Sequence, residues 1–137
     1  MVDQGAISVW ERWEKDVKNL LMHSFGHPMF GSYDICFYQG LAGIKIKENC
    51  RGLSEFTLSP AFNKGISFVE CSIKTVKGTI QSNWRRDDEQ IVYEFTVPSN
   101  STANLIVEKE IQKLPDGIIK TEKGYKCVSG KYKITLI

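Results

Sequence analysis

The sequence has 137 residues, of which 42% are hydrophobic and 25% charged, and its formal net charge is +2. This length suits one domain of ordinary size. So small a charge excludes the strongly basic footprint of a nucleic-acid-binding protein, and no apolar run reaches the ~18 residues expected of a membrane-spanning helix. Neither a nucleic acid nor a membrane is therefore expected as a partner.

The chain opens with MVDQG, which lacks the basic and apolar regions of a signal peptide. This start indicates either a cytoplasmic protein or a polypeptide cut from a larger one. The next segment, GAISVWERW at residues 5–13, is unusually apolar for a free terminus. The first residues of the chain are therefore expected to be packed within a folded region.

Residues 29–44 form the second unusual segment, MFGSYDICFYQGLAGI, in which Asp34 is the only charged residue. Apolar side chains occupy every side of a helix drawn through it, and a helix that is apolar all round is buried all round. The segment is thus predicted to be a helix inside a larger helical assembly. Without that assembly it should pack on the sandwich, pair with a second copy as a homodimer, or do both. The predicted stripe is Phe30, Tyr33, Phe37 and Leu41.

From about residue 53 onward apolar residues recur at every second position, which predicts half-buried antiparallel strands. The clearest segments are SFVECSIK, TIQSNW, QIVYEFTV and KYKITL, with turn signals between them. Several short strands at this spacing favour a β-sandwich. The inward side chains should include Tyr93, Phe95, Ile134 and Leu136, and Trp84 is better explained by core packing than as a sugar platform.

Three polar or reactive features of the sequence are predicted to have structural rather than functional roles. RRDDE at residues 85–89 is expected to be a solvated hairpin turn, and NST at Asn100 a polar turn rather than a glycosylation site. The four cysteines show neither CxxC spacing nor a nearby histidine pair, so no metal and no cofactor is expected. The cysteines should be reduced and mostly buried; they are Cys36, Cys50, Cys71 and Cys127.

The change of pattern divides the chain into residues 1–46, a helical remnant, and residues 47–137, the sandwich. The fold class is accordingly mainly β, with a short helical part in front. The sandwich can fold by itself, whereas the first part has buried-type sequence without enough chain to bury it. We therefore expect the polypeptide to be the C-terminal part of a longer protein, cut inside a helical domain.

Several motifs, in a shared order over nearly the whole chain, resemble the C-terminal end of the family 78 bacterial α-L-rhamnosidases. In that family a G-A-T-T-x-W-E-R-W segment precedes S-x-N-H-x-x-x-G-S and an L-A-G-I helix end. Later come S-x-W-R-R, T-V-P-x-N-x-T-A and a closing G-x-Y-x-F strand. The corresponding segments here are GAISVWERW, SFGHPMFGS, LAGIKI, SNWRRDDEQ, TVPSNSTA and VSGKYKI.

The resemblance implies an inverting glycosidase with an (α/α)6 catalytic barrel and an accessory β-sandwich. It implies that Glu11 is the general base and that His27 and Trp10 contact the sugar. The chain departs from the family at Gly26, where asparagine is usual, and at Pro28, where an aromatic residue is common. These departures affect the surroundings of His27.

Inverting hydrolysis needs a carboxylic acid and a carboxylate on opposite sides of the sugar, roughly 6.5–9.5 Å apart. The family's acidic motif of the D-x-x-x-R-x-E kind is absent from these residues. The chain alone is therefore expected to be inactive, with an L-rhamnose-containing glycan and the missing barrel as its partners in the intact enzyme.

Each of these assignments has an alternative. Glu11 could pair with Arg12 or Lys15 on a surface, and His27 could be a local hydrogen-bonding residue. For the whole chain, the second hypothesis is a stand-alone β-sandwich module that binds carbohydrate or another protein. An open reading frame extending several hundred residues upstream of Met1 would favour the rhamnosidase reading.

Overall fold

The computed structural model describes residues 3, 5–10, 26–47 and 50–137. Within it the chain divides into two compact units, Met1–Ile35 and Cys36–Ile137. The sequence boundary after residue 46 rests on the change of residue pattern and stays a prediction. Glu11 lies outside the described residues.

The protein is mainly β, as the alternation predicts, and its strands form two sheets. One sheet has five strands in the order β1-β2-β6-β8-β7, and the other has four in the order β3-β4-β5-β9. Neighbours are antiparallel except β2 and β6, which run parallel. The strands are β1 (Ile44–Ile46), β2 (Glu55–Leu58), β3 (Phe68–Thr75), β4 (Gly78–Asp87), β5 (Gln90–Val97), β6 (Thr102–Leu105), β7 (Ile118–Thr121), β8 (Gly124–Cys127) and β9 (Gly130–Leu136).

The predicted register of the four-stranded sheet is confirmed. Tyr93 and Leu136 are fully buried, and Phe95 and Ile134 are each 2% exposed. Between them Glu94 and Lys133 point to solvent and form an ion pair, with Nζ 2.8 Å from Oε1. Because successive side chains of a strand point to opposite faces, a shift of one residue in the register would have exposed the buried side chains and buried the ion pair.

Both sheets contribute their inward faces to one hydrophobic core, so the unit is a β-sandwich. The five-stranded sheet supplies Ile44, Phe56, Leu58, Ala103, Leu105, Ile118 and Cys127. On the four-stranded sheet Trp84 is 2% exposed, which confirms its core assignment. Phe62, from the loop after β2, packs edge-on against Trp84 with ring centroids 5.4 Å apart.

The turns lie at the turn signals of the sequence, and two of them contain a non-glycine residue in the left-handed backbone conformation. Asp88 links β4 to β5 with φ +52°, and Asn100 links β5 to β6 with φ +55°. The first turn is shorter than RRDDE, because β4 continues through Asp87. Arg86 is half-buried rather than solvated, and its guanidinium donates to the carbonyls of Phe62 and Asn63 at 3.0 and 3.2 Å.

The apolar segment 29–44 is not the single buried helix that its composition predicts. It forms a 3₁₀ helix at Pro28–Tyr33 and a π-helix at Cys36–Leu41, and Ile44 already belongs to β1. The π-helix closes where the Ala42 amide donates to the Phe37 carbonyl at 3.0 Å. The prediction of burial on all sides is also wrong within this chain, because Tyr33, Ile35, Phe37 and Tyr38 are 42–54% exposed.

The four cysteines are free, but the expectation that most are buried is wrong. Cys127 is buried in the core, Cys50 and Cys71 are half-buried, and Cys36 is exposed. In the ranges that the structure describes, no cluster of three or more His, Cys, Asp or Glu side chains is arranged to hold a metal ion. Within the same ranges no helix is long and apolar enough to span a membrane.

Candidate functional site

Two of the quoted motifs meet in the first compact unit. The His27 amide donates to the Val9 carbonyl at 2.8 Å, across a gap of seventeen intervening positions in the sequence. Val9 immediately precedes Trp10, so this bond places the start of the W-E-R-W segment beside the histidine motif. This bond joins the backbones of Val9 and His27 and does not depend on the identity of either side chain.

Trp10 and His27, the predicted sugar-contacting residues, differ in their exposure. Trp10 is 6% exposed, whereas His27 is half-buried. His27 is the residue that precedes the 3₁₀ helix Pro28–Tyr33, yet its side chain makes no capping hydrogen bond to that helix. The imidazole therefore does not cap that helix.

The two departures around His27 have simple local geometry. Gly26 is exposed, its φ is not in the left-handed region, and a Cβ added there would meet no atom of the described residues within 4 Å. The backbone at this position would therefore accept a residue with a Cβ. Pro28 occupies the start of the 3₁₀ helix, where its missing N–H has no helical partner to lose.

The LAGI motif at residues 41–44 joins the π-helix to the sandwich through backbone groups. The Trp84 indole and the Ala61 amide donate to the Leu41 carbonyl at 3.3 and 3.2 Å, and the Ser59 amide donates to the Gly43 carbonyl at 2.9 Å. Gly43 has φ +70°, and a Cβ there would overlap the backbone of Ser59 and Pro60. A glycine is thus required at this position for two reasons: its φ is positive, and the neighbouring backbone leaves no room for a Cβ.

A buried polar pair supports the same junction. The Ser82 hydroxyl donates to the Ala42 carbonyl at 2.6 Å, so its oxygen accepts from the Tyr93 hydroxyl 3.0 Å away. Ser82 and Tyr93 are both fully buried. Burial raises the pKa of Tyr93 well above its usual range, which keeps the phenol neutral and able to donate. This network is structural, because every group in it has a partner inside the fold.

The family of the chain is decided by a match over residues 43–117 to the family described as "Bacterial alpha-L-rhamnosidase C-terminal domain". The matched region begins at Gly43, so it covers the junction and most of the sandwich. The chain belongs to this family.

Curated relatives extend the similarity over almost the whole chain. An α-L-rhamnosidase from Alteromonas sp. (strain LOR) is 28% identical over 99% of this chain, and one from Formosa agariphila is 25% identical over 91%. These alignments cover 15% and 14% of the relatives, respectively. The chain therefore spans about a seventh of the length of the rhamnosidases that it matches.

Solved structures agree in fold. The α-L-rhamnosidase from Dictyoglumus thermophilum superposes with a TM-score of 0.77 at 25% identity, over 99% of this chain and 17% of that one. The Streptomyces avermitilis α-L-rhamnosidase, solved in complex with L-rhamnose, gives a TM-score of 0.75 at 20% identity, over 99% and 14%. Both solved structures therefore contain a region with the fold of this chain.

The sequence motifs do not identify the outward face of the four-stranded sheet as a candidate surface. Phe68 is 62% exposed there and lies in phase with the polar Glu70 and Ser72. A large aromatic residue on the polar side of an alternating strand is the signal that could have identified this surface.

Proposed function

We propose that this chain supplies the C-terminal part of an inverting glycoside hydrolase that removes terminal α-L-rhamnose from glycosides or polysaccharides. In this proposal Glu11 is the general base, and Trp10 and His27 line the pocket for the sugar. The general acid comes from an upstream catalytic barrel, and the chain alone does not turn over substrate.

The observation that carries the proposal is the Val9–His27 backbone bond within a member of the rhamnosidase C-terminal domain family. It supports a site in which a W-E-R-W carboxylate and a histidine serve the same sugar. Trp10 is buried immediately before Glu11. A tryptophan at that position would exclude solvent on one side of the carboxylate and present an apolar face to a 6-deoxy sugar.

The inactivity of the isolated chain follows from the chemistry of inversion. One group must protonate the leaving oxygen while a carboxylate on the opposite side activates water. General acid–base assistance contributes about 10²–10⁴-fold, and correct positioning of the reacting groups contributes a further large factor. The base motif by itself supplies neither the acid nor the enclosure around the sugar.

The exposed apolar side chains of the π-helix support the proposal that another protein surface covers them. Phe37 and Tyr38 are 54% and 42% exposed, and a large exposed apolar patch usually marks an interface. We assign the missing barrel as that partner in the complete enzyme and a homodimer when the chain is alone. Sedimentation of the chain should show dimers, and Tyr38→Ser should shift it toward monomer; a monomer at all concentrations would contradict the homodimer.

The catalytic proposal is tested with a chimera in which this chain replaces the segment that it matches in the Alteromonas relative. The chimera should hydrolyse an aryl α-L-rhamnoside, and the isolated chain should not. Proton NMR of the early reaction should detect β-L-rhamnose first, since water attacks opposite the leaving group. An α-anomer formed first would contradict inversion, and turnover by the isolated chain would contradict the missing acid.

The role of Glu11 is tested in the same chimera. Glu11→Gln fills the same space but accepts no proton, so turnover should fall by about 10²–10⁴-fold while rhamnose still binds. Glu14→Gln, three residues further along the same segment, is the matched control and should retain turnover. Equal activity of the two variants would contradict the assignment of Glu11 as the base.

A further inference from the structure

The outward face of the four-stranded sheet carries three rows of side chains that cross all four strands. Two surface depressions of about 510 and 280 Å³ lie on this face, and both are lined by Asn83 and Glu94. The two depressions share these two residues, and we call the surface that they cover together the trough. In the register of the sheet the rows are Phe68–Arg85–Val92–Thr135, Glu70–Asn83–Glu94–Lys133 and Ser72–Gln81–Thr96–Lys131.

One end of the trough holds an exposed aromatic ring beside a guanidinium. Phe68 is 62% exposed and lies directly across from Arg85 in the β3–β4 pair. Arg85 makes no hydrogen bond or ion pair with any residue that the structure describes, although its charge helps to lower the pKa of Glu94, after the larger effect of Lys133. Its guanidinium thus presents a fork of donors whose geometry matches a carboxylate.

The middle of the trough offers oriented polar groups. The Asn83 side-chain oxygen accepts from the Cys71 amide at 3.0 Å, which fixes the amide and leaves its NH₂ group without a partner among the described residues. The Thr96 hydroxyl donates to the Gln81 side-chain oxygen at 2.9 Å. Hydroxyl-rich ligands are recognised by such a mixture of donors and acceptors, held in place by the sheet.

The side chains of the trough carry an excess of positive charge. Glu94 is neutralised by Lys133 at 2.8 Å, whereas Arg85 and Lys131 have no ion-pair partner in the described part of the chain. Glu70 is the one carboxylate of the three rows left to oppose them. An anionic ligand is therefore favoured over a cationic or strongly apolar one.

We propose that this trough binds an acidic oligosaccharide, with a uronate carboxylate on Arg85 and a pyranose ring against Phe68. An aromatic ring suits the C–H face of a sugar, and the guanidinium suits its carboxylate. The trough spans four strands set about 4.8 Å apart, so it accommodates a short chain of sugars rather than one ring. The inference does not depend on the catalytic proposal, because none of these residues lies in the first compact unit.

The test is calorimetric titration of this chain with oligogalacturonate and, separately, with a neutral malto-oligosaccharide of equal length. The acidic ligand should bind saturably and more weakly as salt is raised, and the neutral one should not bind. Arg85→Gln should weaken binding about tenfold, the loss expected for one charge-assisted hydrogen bond. Phe68→Ala should weaken binding several-fold or more.

The matched control is Ile119→Ala, since Ile119 is 61% exposed, close to the 62% of Phe68, but lies on β7 of the other sheet. This variant should bind as the unaltered chain does. All three variants should keep the same unfolding midpoint, because they change outward side chains. Absence of binding, equal binding of the neutral ligand, or equal losses in Phe68→Ala and Ile119→Ala would overturn the proposal.

Discussion

The two compact units of this chain differ in what their residues contribute. Every residue of the hydrophobic core cluster comes from Cys36–Ile137. Among the residues of Met1–Ile35 whose burial is described, Trp10 alone is buried, yet this unit holds the predicted catalytic motif. Stability and chemistry are thus assigned to different parts of the chain, and the predictions below test that division.

The largest expected effect is the loss of the fold on Gly43→Ala. A methyl group there would overlap the Ser59–Pro60 backbone, and the φ of +70° disfavours any side chain. Unfolding in urea should show a loss of more than about 4 kcal/mol, or no folded protein at all. Gly40→Ala is the control: a Cβ at Gly40 meets nothing within 4 Å, so its stability should stay close to the original.

A smaller loss is expected for Ser82→Ala on the inward face of β4. The change leaves the Tyr93 hydroxyl and the Ala42 carbonyl buried without their partner, which costs about 1–3 kcal/mol. Ser72→Ala, on the outward face of β3, should alter the free energy of unfolding by less than about 0.5 kcal/mol. Equal effects at the two serines would contradict the buried network.

Alkaline pH should weaken the sandwich through Cys127. Burial raises the pKa of this thiol from 9.0 to about 12. Above pH 9 the unfolded chain loses a proton that the folded chain keeps, so stability is full below pH 9 and declines from there toward pH 12. Between pH 9 and 10 the decline should be at most about 1.4 kcal/mol. Cys127→Ala should flatten this slope; an unchanged slope would show that the thiol does not cause it.

The smallest effect is expected on deleting residues 1–35. If the sandwich is self-contained, the shortened chain should unfold cooperatively with a midpoint close to that of the original. Thermal unfolding followed by circular dichroism would measure this. A shortened chain that does not fold would show that the first unit contributes to the stability of the second.

The strands were predictable because their signal is local. Tyr93, Phe95, Ile134 and Leu136 fall on one face by a period of two, and the sheet buries that face. The structure of the apolar segment 29–44 was not predictable in this way, because composition shows that a segment is apolar but does not show what covers it. The same limit explains why Phe37 and Tyr38 were expected to be buried and are exposed.

The candidate site was predictable only through its motifs. Nothing in spacing alone links Val9 to His27, and the bond between them depends on how the first unit folds. The trough was missed for a related reason: Arg85 and Lys131 are far apart in sequence and share a surface only through the register of four strands. Single-strand patterns identify which face a residue occupies, but not its neighbours on that face.

The central claim, that Glu11 is the general base, is tested most directly by varying the leaving group. In the chimera, Glu11→Gln would be compared with the original using two aryl α-L-rhamnosides whose phenols differ in acidity. A missing base impairs activation of water, so the loss in kcat/KM should be similar for both substrates, about 10²–10⁴-fold. A loss that largely disappears with the more acidic phenol would identify Glu11 as the acid instead and contradict the account.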